Sequence, residues 1–182
     1  MRSCLFLFAL TFWGCVNDME EVQAITEEVL LPVEMADEIR IIYSDSAVLK
    51  VILEAQHLER FLGENPYLEM TDGVHVRFFN SNGDVESELR SNYAVSHENS
   101  DIMEAKEDVL VVNKKGETLN TEHLIWEEKT ERIHTESFVK ITTEDEVIFG
   151  HGFESNQDFT KYRIKKIKGT INLNDAEITE GS

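Results

Sequence analysis

The chain has few cysteines, prolines and basic residues, and each scarcity excludes a class of protein. Its two cysteines, Cys4 and Cys15, both lie within the first fifteen residues. The rest of the chain therefore has no thiol for a disulfide, a metal site or thiol chemistry. Two prolines and nine glycines exclude collagen-like and low-complexity sequences. Only 17 residues are Lys or Arg against 36 Asp or Glu, and this net charge of −19 argues against nucleic acid as a partner.

Motifs that carry catalysis or metal binding are also missing. The sequence contains no Gly-rich phosphate loop, no Gly-x-Ser-x-Gly elbow and no His-Glu-x-x-His motif. Acidic pairs such as Glu127-Glu128 are expected by chance in so acidic a chain. The six histidines are scattered over separate predicted elements, without the spacing of metal ligands: His57, His75, His97, His123, His134 and His151. We therefore expect a protein that is not an enzyme and holds no metal or cofactor.

The first fifteen residues have the pattern of a lipoprotein leader. Arg2 supplies a positive start, residues 5–13 form an apolar run too short to span a bilayer, and Gly14 precedes Cys15. Phe12 stands where such leaders usually have Leu. We interpret residues 1–14 as a lipoprotein signal peptide and Cys15 as a lipid anchor, which places the protein on a membrane. An uncleaved leader, or a leader cleaved in the conventional way, is the alternative.

Beyond the leader, the chain divides into a tether, a domain and a tail. Residues 15–40 are acidic and only weakly periodic, which is typical of a solvated spacer. From Ile41 onwards, short runs of β-branched and aromatic residues alternate with turn pairs such as Asn82-Gly83 and Lys115-Gly116. We expect residues 41–171 to form one all-β domain and residues 172–182 a C-terminal tail.

Eight strands are predicted in this domain. Residues 57–62 also fit a helix, but one too short to be stable alone. The predicted strands are Ala47–Ala55, Val74–Asn80, Glu86–Val95, Ile102–Asn113, Thr118–Trp126, Arg132–Thr142, Glu146–Phe149 and Tyr162–Ile171.

A repeat of 30 residues indicates how the strands are organised. Residues 89–95 resemble residues 119–125, and residues 103–111 resemble residues 133–141, with the matches at alternate positions. Because side chains alternate between the faces of a strand, each unit has one apolar face that it cannot bury alone. Stacked hairpin units then form a folded-over antiparallel sheet, for which a sandwich or a jelly roll is equally suitable. The pattern leaves open whether the interior is filled or forms an apolar trough.

The C-terminal part of the domain resembles a known family. Its most specific stretch is Gly150-His-Gly-Phe-Glu-Ser-Asn-Gln-Asp-Phe159, and the Asn82-Gly83-Asp84 turn and the repeat at 89–142 agree with it. Over about residues 39–171 the chain is similar to LptC-type lipopolysaccharide export proteins, in the branch with a lipoprotein leader.

The resemblance implies an open β-jellyroll whose apolar groove accepts lipopolysaccharide from an inner-membrane ABC transporter and passes it to a periplasmic bridge protein of the same fold. It also implies a periplasmic location, with the lipid anchor in the inner membrane of a Gram-negative bacterium. An envelope lipoprotein that acts as an assembly scaffold or binding module, without a lipid groove, is the alternative.

Two sets of residues are candidates for these roles. The expected groove residues are Val51, Leu53, Val76, Phe78, Met103, Val109, Val111, Ile133, Val139, Ile141 and Phe149. We expect the last strand to be an edge that docks the bridge protein through Tyr162, Ile164, Ile167 and Ile171, although its lysines also fit an edge that is merely protected from pairing. The transporter is expected to dock on the strands near residues 41–53.

The anchor can be tested directly. If Cys15 is acylated, the Cys15→Ala variant should accumulate as a larger precursor, because lipoprotein signal peptidase cleaves only after acylation. It should also lose labelling by a metabolically incorporated fatty acid. Unchanged labelling of the variant would remove the lipid anchor.

Overall fold

A computed structural model describes residues 31–157 and 159–173, and within them the chain is one antiparallel sheet of ten strands. The predicted signal peptide, Cys15 and most of the tether and tail lie outside the described residues. A single 3₁₀ turn, Glu128–Thr130, interrupts the strands. The strands are β1 Glu34–Asp45, β2 Val48–Phe61, β3 Tyr67–Phe79, β4 Val85–Ser91, β5 Tyr93–His97, β6 Ile102–Asn113, β7 Thr118–Glu127, β8 Arg132–Thr142, β9 Glu146–Asn156 and β10 Tyr162–Asn172.

The strands follow one another in space almost as they do in sequence. The order is β1-β2-β3-β4-β6-β7-β8-β9-β10, and β5 continues the line of β4 between β3 and β6. In the described part of the chain, β1 and β10 therefore have a neighbour on one side only. The two edges differ in charge, since β1 contains Glu34, Asp37, Glu38 and Asp45 against Arg40. All the charged residues of β10 are basic: Arg163, Lys165, Lys166 and Lys168.

The all-β prediction is confirmed, but several strand boundaries were wrong. Strand β1 begins at Glu34, so residues 34–40 belong to the sheet and not to the tether. Almost all of β1 is exposed, and an exposed edge strand lacks the strong apolar alternation that the prediction relied on. Residues 57–61, which also fit a helix, continue β2, and β9 extends to Asn156.

The core is built on rows of side chains that run across the strands. One unbroken row of directly paired residues crosses the sheet on its inner face. From β1 to β9 this row contains Ile41, Leu53, Val76, Leu89, Val111, Leu119, Ile141 and Ile148. Five of its central members, from Leu53 to Leu119, are at most 6% exposed. The 30-residue repeat reflects these rows, because equivalent residues of its two units lie in the same row. Val109 and Val139 both pair with Thr121, and Val111 and Ile141 both pair with Leu119.

Several strands interrupt their alternation near the middle, and these interruptions line up across the sheet. We call this row the bulge line. Backbone hydrogen bonds connect it from strand to strand, as from Gly73 N–H to Asn92 O and from Asn92 N–H to Glu107 O. The pairing register shifts there in most strands, and several residues have positive φ. The line includes Gln56, Asp72-Gly73, Asn92, Glu107-Asp108, Glu122, Glu136-Ser137 and Gly152.

The bulges let the sheet bend over its own apolar face. A β-bulge bends its strand and increases the local twist, and a row of bulges bends the whole sheet along one line. Phe78 of β3 and Trp126 of β7 are not on neighbouring strands, yet their rings meet edge to face with centroids 5.6 Å apart. Contact between such distant strands means that the inner face closes on itself, which agrees with the predicted folded-over sheet.

Small hydroxyl side chains satisfy backbone groups that the bulges free. Thr121 Oγ1 donates to the carbonyl oxygen of Phe138 at 2.9 Å, and the backbone N–H of Ser137 donates to Thr135 Oγ1 at 3.0 Å. Ser91 Oγ donates to the carbonyl oxygen of Tyr93. Because an unpaired buried backbone group is costly, these hydroxyls are tolerated in an otherwise apolar interior.

A pair of neighbouring residues on β8 tests which face is buried. Val139 is 0% exposed and Lys140 is exposed. Val139→Ala should lower the free energy of unfolding by roughly 2 kcal/mol, through lost apolar burial and a residual cavity. Lys140→Ala should change it by less than about 0.5 kcal/mol. Urea unfolding measures both, and equal effects would contradict the assigned faces.

Candidate functional site

The apolar interior opens to solvent between the edge strand β1 and the facing ends of β6 and β7. A cavity of about 200 Å³ lies at this opening. Ile41 and Tyr43 form its β1 side and are 41% and 43% exposed. Opposite them lie Met103 and Trp126, while Leu53 belongs to the floor. The opening is therefore an exposed continuation of the buried core.

Trp126 is held in position at this opening from two sides. Its indole N–H donates to Gln157 Oε1 at 3.2 Å, and its ring contacts the ring of Phe78. A half-buried tryptophan normally finds a partner for its N–H, and here that partner comes from the β9–β10 loop. The polar atom is thus satisfied, and the rest of the ring remains an apolar wall.

A polar contact crosses the rim of the opening. Tyr43 on β1 and Glu128, in the turn after β7, both line the cavity. Hydrogen bonding to the Glu128 carboxylate, together with its negative charge, raises the pKa of the Tyr43 hydroxyl. The contact joins the edge strand to the far side of the opening, and it is exposed, so it adds little to stability.

Ten of the eleven expected groove residues lie on the inner face. Nine of them are core residues at most 5% exposed, and the tenth, Met103, is half-buried against the core. The interior is consequently filled along most of its length and opens only at its margins. The nine are Val51, Leu53, Val76, Phe78, Val109, Val111, Ile133, Val139 and Ile141.

The expected position of Phe149 was wrong. Phe149 pairs with the exposed Lys140, whereas its neighbour Ile148 pairs with Ile141 and packs against the core. Adjacent residues of a strand point to opposite faces, so Phe149 lies on the outer face. There its ring stacks on Phe138 with centroids 6.2 Å apart.

Several residues of the opening and of the interior were not predicted from the sequence. Ile41, Tyr43 and Trp126 were not among the expected groove residues, since no strand was predicted before Ala47 and Trp126 ends its strand. Phe159 was quoted only as part of a motif. It lies in the β9–β10 loop, is 4% exposed and stacks on Phe153 with centroids 6.2 Å apart. Its φ of 54° is unusual for an aromatic residue, and the same loop supplies Gln157.

The expected docking residues lie on the edge strand β10, but not on one face. Tyr162 stacks on Phe153, and Ile164 is half-buried against the core. Ile167 pairs with Gly150 and is 63% exposed. A register shift between Ile167 and Gly169 places Ile171 opposite Val147, on the outer face. The docking role itself remains a prediction.

Charged side chains occupy the outer face and form pairs across strands. Glu104 on β6 accepts from His97 at 2.9 Å and from His123 at 2.8 Å, with Lys106 at 2.9 Å from the same carboxylate. Burial raises the pKa of Glu104, but the hydrogen bonds from Lys106, His97 and His123 outweigh it and lower the pKa to about 2. In the described residues, no group of His, Cys, Asp or Glu side chains is arranged to hold a metal ion.

A comparison with protein families assigns the chain. Residues 6–172 match the family described as "Lipopolysaccharide-assembly, LptC-related". The chain belongs to the LptC family. The match covers nearly the whole chain, including β1, which sequence analysis alone had left partly in the tether. No curated protein matches the sequence.

Membership of the LptC family fixes the general function. This LptC-family protein is a non-enzymatic component of lipopolysaccharide transport and belongs to the periplasmic part of a Gram-negative envelope. Its partners are lipopolysaccharide and the transport system that moves it. Within residues 31–157 and 159–173 there is no helix long and apolar enough to cross a membrane.

Proposed function

We propose that this LptC-family protein is held on the inner membrane by a lipid on Cys15. It accepts lipopolysaccharide from an ABC transporter at its β1 edge and delivers it to a bridge protein of the same fold at its β10 edge. The acyl chains travel over the inner face of the sheet. Energy comes from the transporter, because the protein itself provides only an apolar surface.

The observation that carries this proposal is that the apolar face reaches both edges of the sheet. At the β1 edge, Ile41 and Tyr43 are inner-face residues that remain exposed. Near the β10 edge, Ile167 is exposed opposite Gly150. An edge strand has free N–H and C=O groups that a strand of a partner can pair with. Pairing at either edge would extend the apolar face into the partner.

The dimensions of the opening indicate how lipid enters. Pockets for small ligands measure about 300 to 1,000 Å³, so a cavity of about 200 Å³ is too small for a lipid with several chains. Entry then requires β1 to separate from the ends of β6 and β7. Among the described strands, β1 pairs only with β2, and its residues are mostly exposed, so this movement breaks few contacts. Each acyl CH₂ that is buried contributes about 0.8 kcal/mol towards opening.

A scaffold without a lipid path is the alternative, and the filled interior favours it. Val109, Ile133 and Val139 are fully buried by other protein atoms, as in an ordinary core. The two functions differ in whether lipid touches the inner face at the opening during export.

Two adjacent residues of β1 distinguish these functions. A photo-crosslinking amino acid at Ile41 should capture lipopolysaccharide during active export, because Ile41 faces the opening. The same substitution at Ile42, which points to the outer face and is 60% exposed, should not. Immunoblotting for lipopolysaccharide adducts, with and without ATP supplied to the transporter, measures both. Absence of an adduct at Ile41, or equal adducts at both positions, would favour the scaffold.

A second pair of substitutions tests the direction of transfer. A photo-crosslinker at Ile167, on β10, should capture the bridge protein, and one at Met35, on β1, should capture a transporter subunit. Both side chains are highly exposed, at 63% and 61%, so their replacement should leave the fold intact. If Ile167 captured the transporter subunit and Met35 the bridge protein, the direction of transfer would be the reverse of the one proposed.

A further inference from the structure

The outer face of β8, β9 and β10 has a surface unlike the rest of this acidic protein. We call it the aromatic-basic surface and define it by Phe138, Lys140, Phe149, His151 and Lys166. Register places them together, because Phe138 pairs with His151, Lys140 with Phe149 and His151 with Lys166. All five therefore point away from the core.

The aromatic rings of this surface are packed against one another and open to solvent. Phe138 stacks on Phe149 and meets His151 edge to face, with centroids 6.2 Å and 5.3 Å apart. Phe138 is nevertheless 47% exposed. An exposed aromatic cluster that already holds a fixed arrangement loses little side-chain freedom on binding.

The lysines of this surface are not neutralised by the described part of the protein. No carboxylate of residues 31–157 and 159–173 forms an ion pair with Lys140, Lys166 or the nearby Lys168, and all three side chains are exposed. By contrast, Lys106 and Arg163, on the other side of the bulge line, each bind a carboxylate. In a chain of net charge −19, three basic side chains without an ion pair among the described residues therefore lie on or beside this one surface.

The basic character continues across the sheet in one row of paired residues. Lys140 pairs with Asn120, Asn120 with Leu110 and Leu110 with Arg90. The row ends at Arg40 on β1, with Glu54 as its only carboxylate among these described positions. On the other side of the bulge line, the corresponding outer row contains Glu59, Glu69, Glu104 and Glu154. Of these two outer rows, one is thus mainly basic and the other mainly acidic.

We infer that the aromatic-basic surface docks on a bilayer whose headgroups are anionic phospholipids. Lysines attract anionic headgroups, and exposed aromatic rings partition into the interfacial layer. The chain between Cys15 and Leu31 spans at most about 55 Å, at roughly 3.5 Å per residue. A lipid on Cys15 would keep the domain within that distance, so even weak attraction orients it. This inference goes beyond the lipid path and takes only this proximity from the proposed anchor.

Vesicle binding of the full chain tests this surface without the anchor. The chain carries Cys15→Ser, so that no acyl group contributes, and is mixed with vesicles of phosphatidylcholine alone or with phosphatidylglycerol added. Flotation measures how much more protein binds to the vesicles with phosphatidylglycerol than to those of phosphatidylcholine alone. Lys140→Glu should reduce this difference about tenfold, and Phe138→Ser should also weaken it. The matched control is Arg132→Glu, with the same charge change at an exposed position near the other end of β8, which should reduce it less than twofold.

The matched control separates docking through this surface from binding through the leader or through net charge. Residues 1–30 are the same in all variants, so binding through the leader cannot produce a difference between Lys140→Glu and Arg132→Glu. No additional binding to phosphatidylglycerol, or equal losses in both variants, would overturn the inference. Failure of the Ile41 crosslink would remove the lipid path and leave this result unaffected. Circular dichroism confirms that each variant retains its strands.

Discussion

The interruption of strand alternation along the bulge line is the constraint on which the rest of the structure depends. A regular sheet of this length would leave its apolar face exposed to water, because without a bend its strands cannot pack against one another face to face. The bulges bend the sheet so that β3 reaches β7, as the contact between Phe78 and Trp126 records. Thr121 and Thr135 make the bends tolerable, because they supply hydrogen bonds to backbone groups that would otherwise be buried and unpaired.

The bulge line also explains what the sequence could predict. On β6 and β8 the bulge adds an even number of residues, so the inner-face positions before and after it follow the same alternation. Alternation therefore located the inner face correctly at Val109 and Val139. On β7 the buried residues Thr121 and Leu124 are three positions apart, so the alternation changes there. Sequence periodicity does not predict such a change. The opening was not predictable either, since it depends on which strand faces β1 after the sheet has bent. Phe149 was assigned inwards, whereas the pairing of Ile148 with Ile141 places Ile148 on the inner face and Phe149 on the outer face.

The filled interior and the transport function are compatible for a physical reason. A permanently open apolar trough exposes its surface to water at roughly 25 cal/mol per Å². A protein whose core closes when empty avoids that cost, provided that one wall can move. Strand β1 is suited to this because, within residues 31–157 and 159–173, it pairs on one side only and contributes little to the core beyond Ile39. The most deeply buried residues, such as Ile133 and Val139, lie on central strands and keep the rest of the sheet in place.

The opposite charges of the two edge strands have a consequence for assembly. Two β1 edges repel each other through residues such as Glu34 and Asp37, and two β10 edges repel through Lys166 and Lys168. A β10 edge and a β1 edge attract. In the terms of polymer chemistry, the domain is a bifunctional monomer with unlike ends, whose charges favour head-to-tail over head-to-head pairing. Any longer sheet assembled from such units would have a direction, and the charges of its first and last strands would determine that direction.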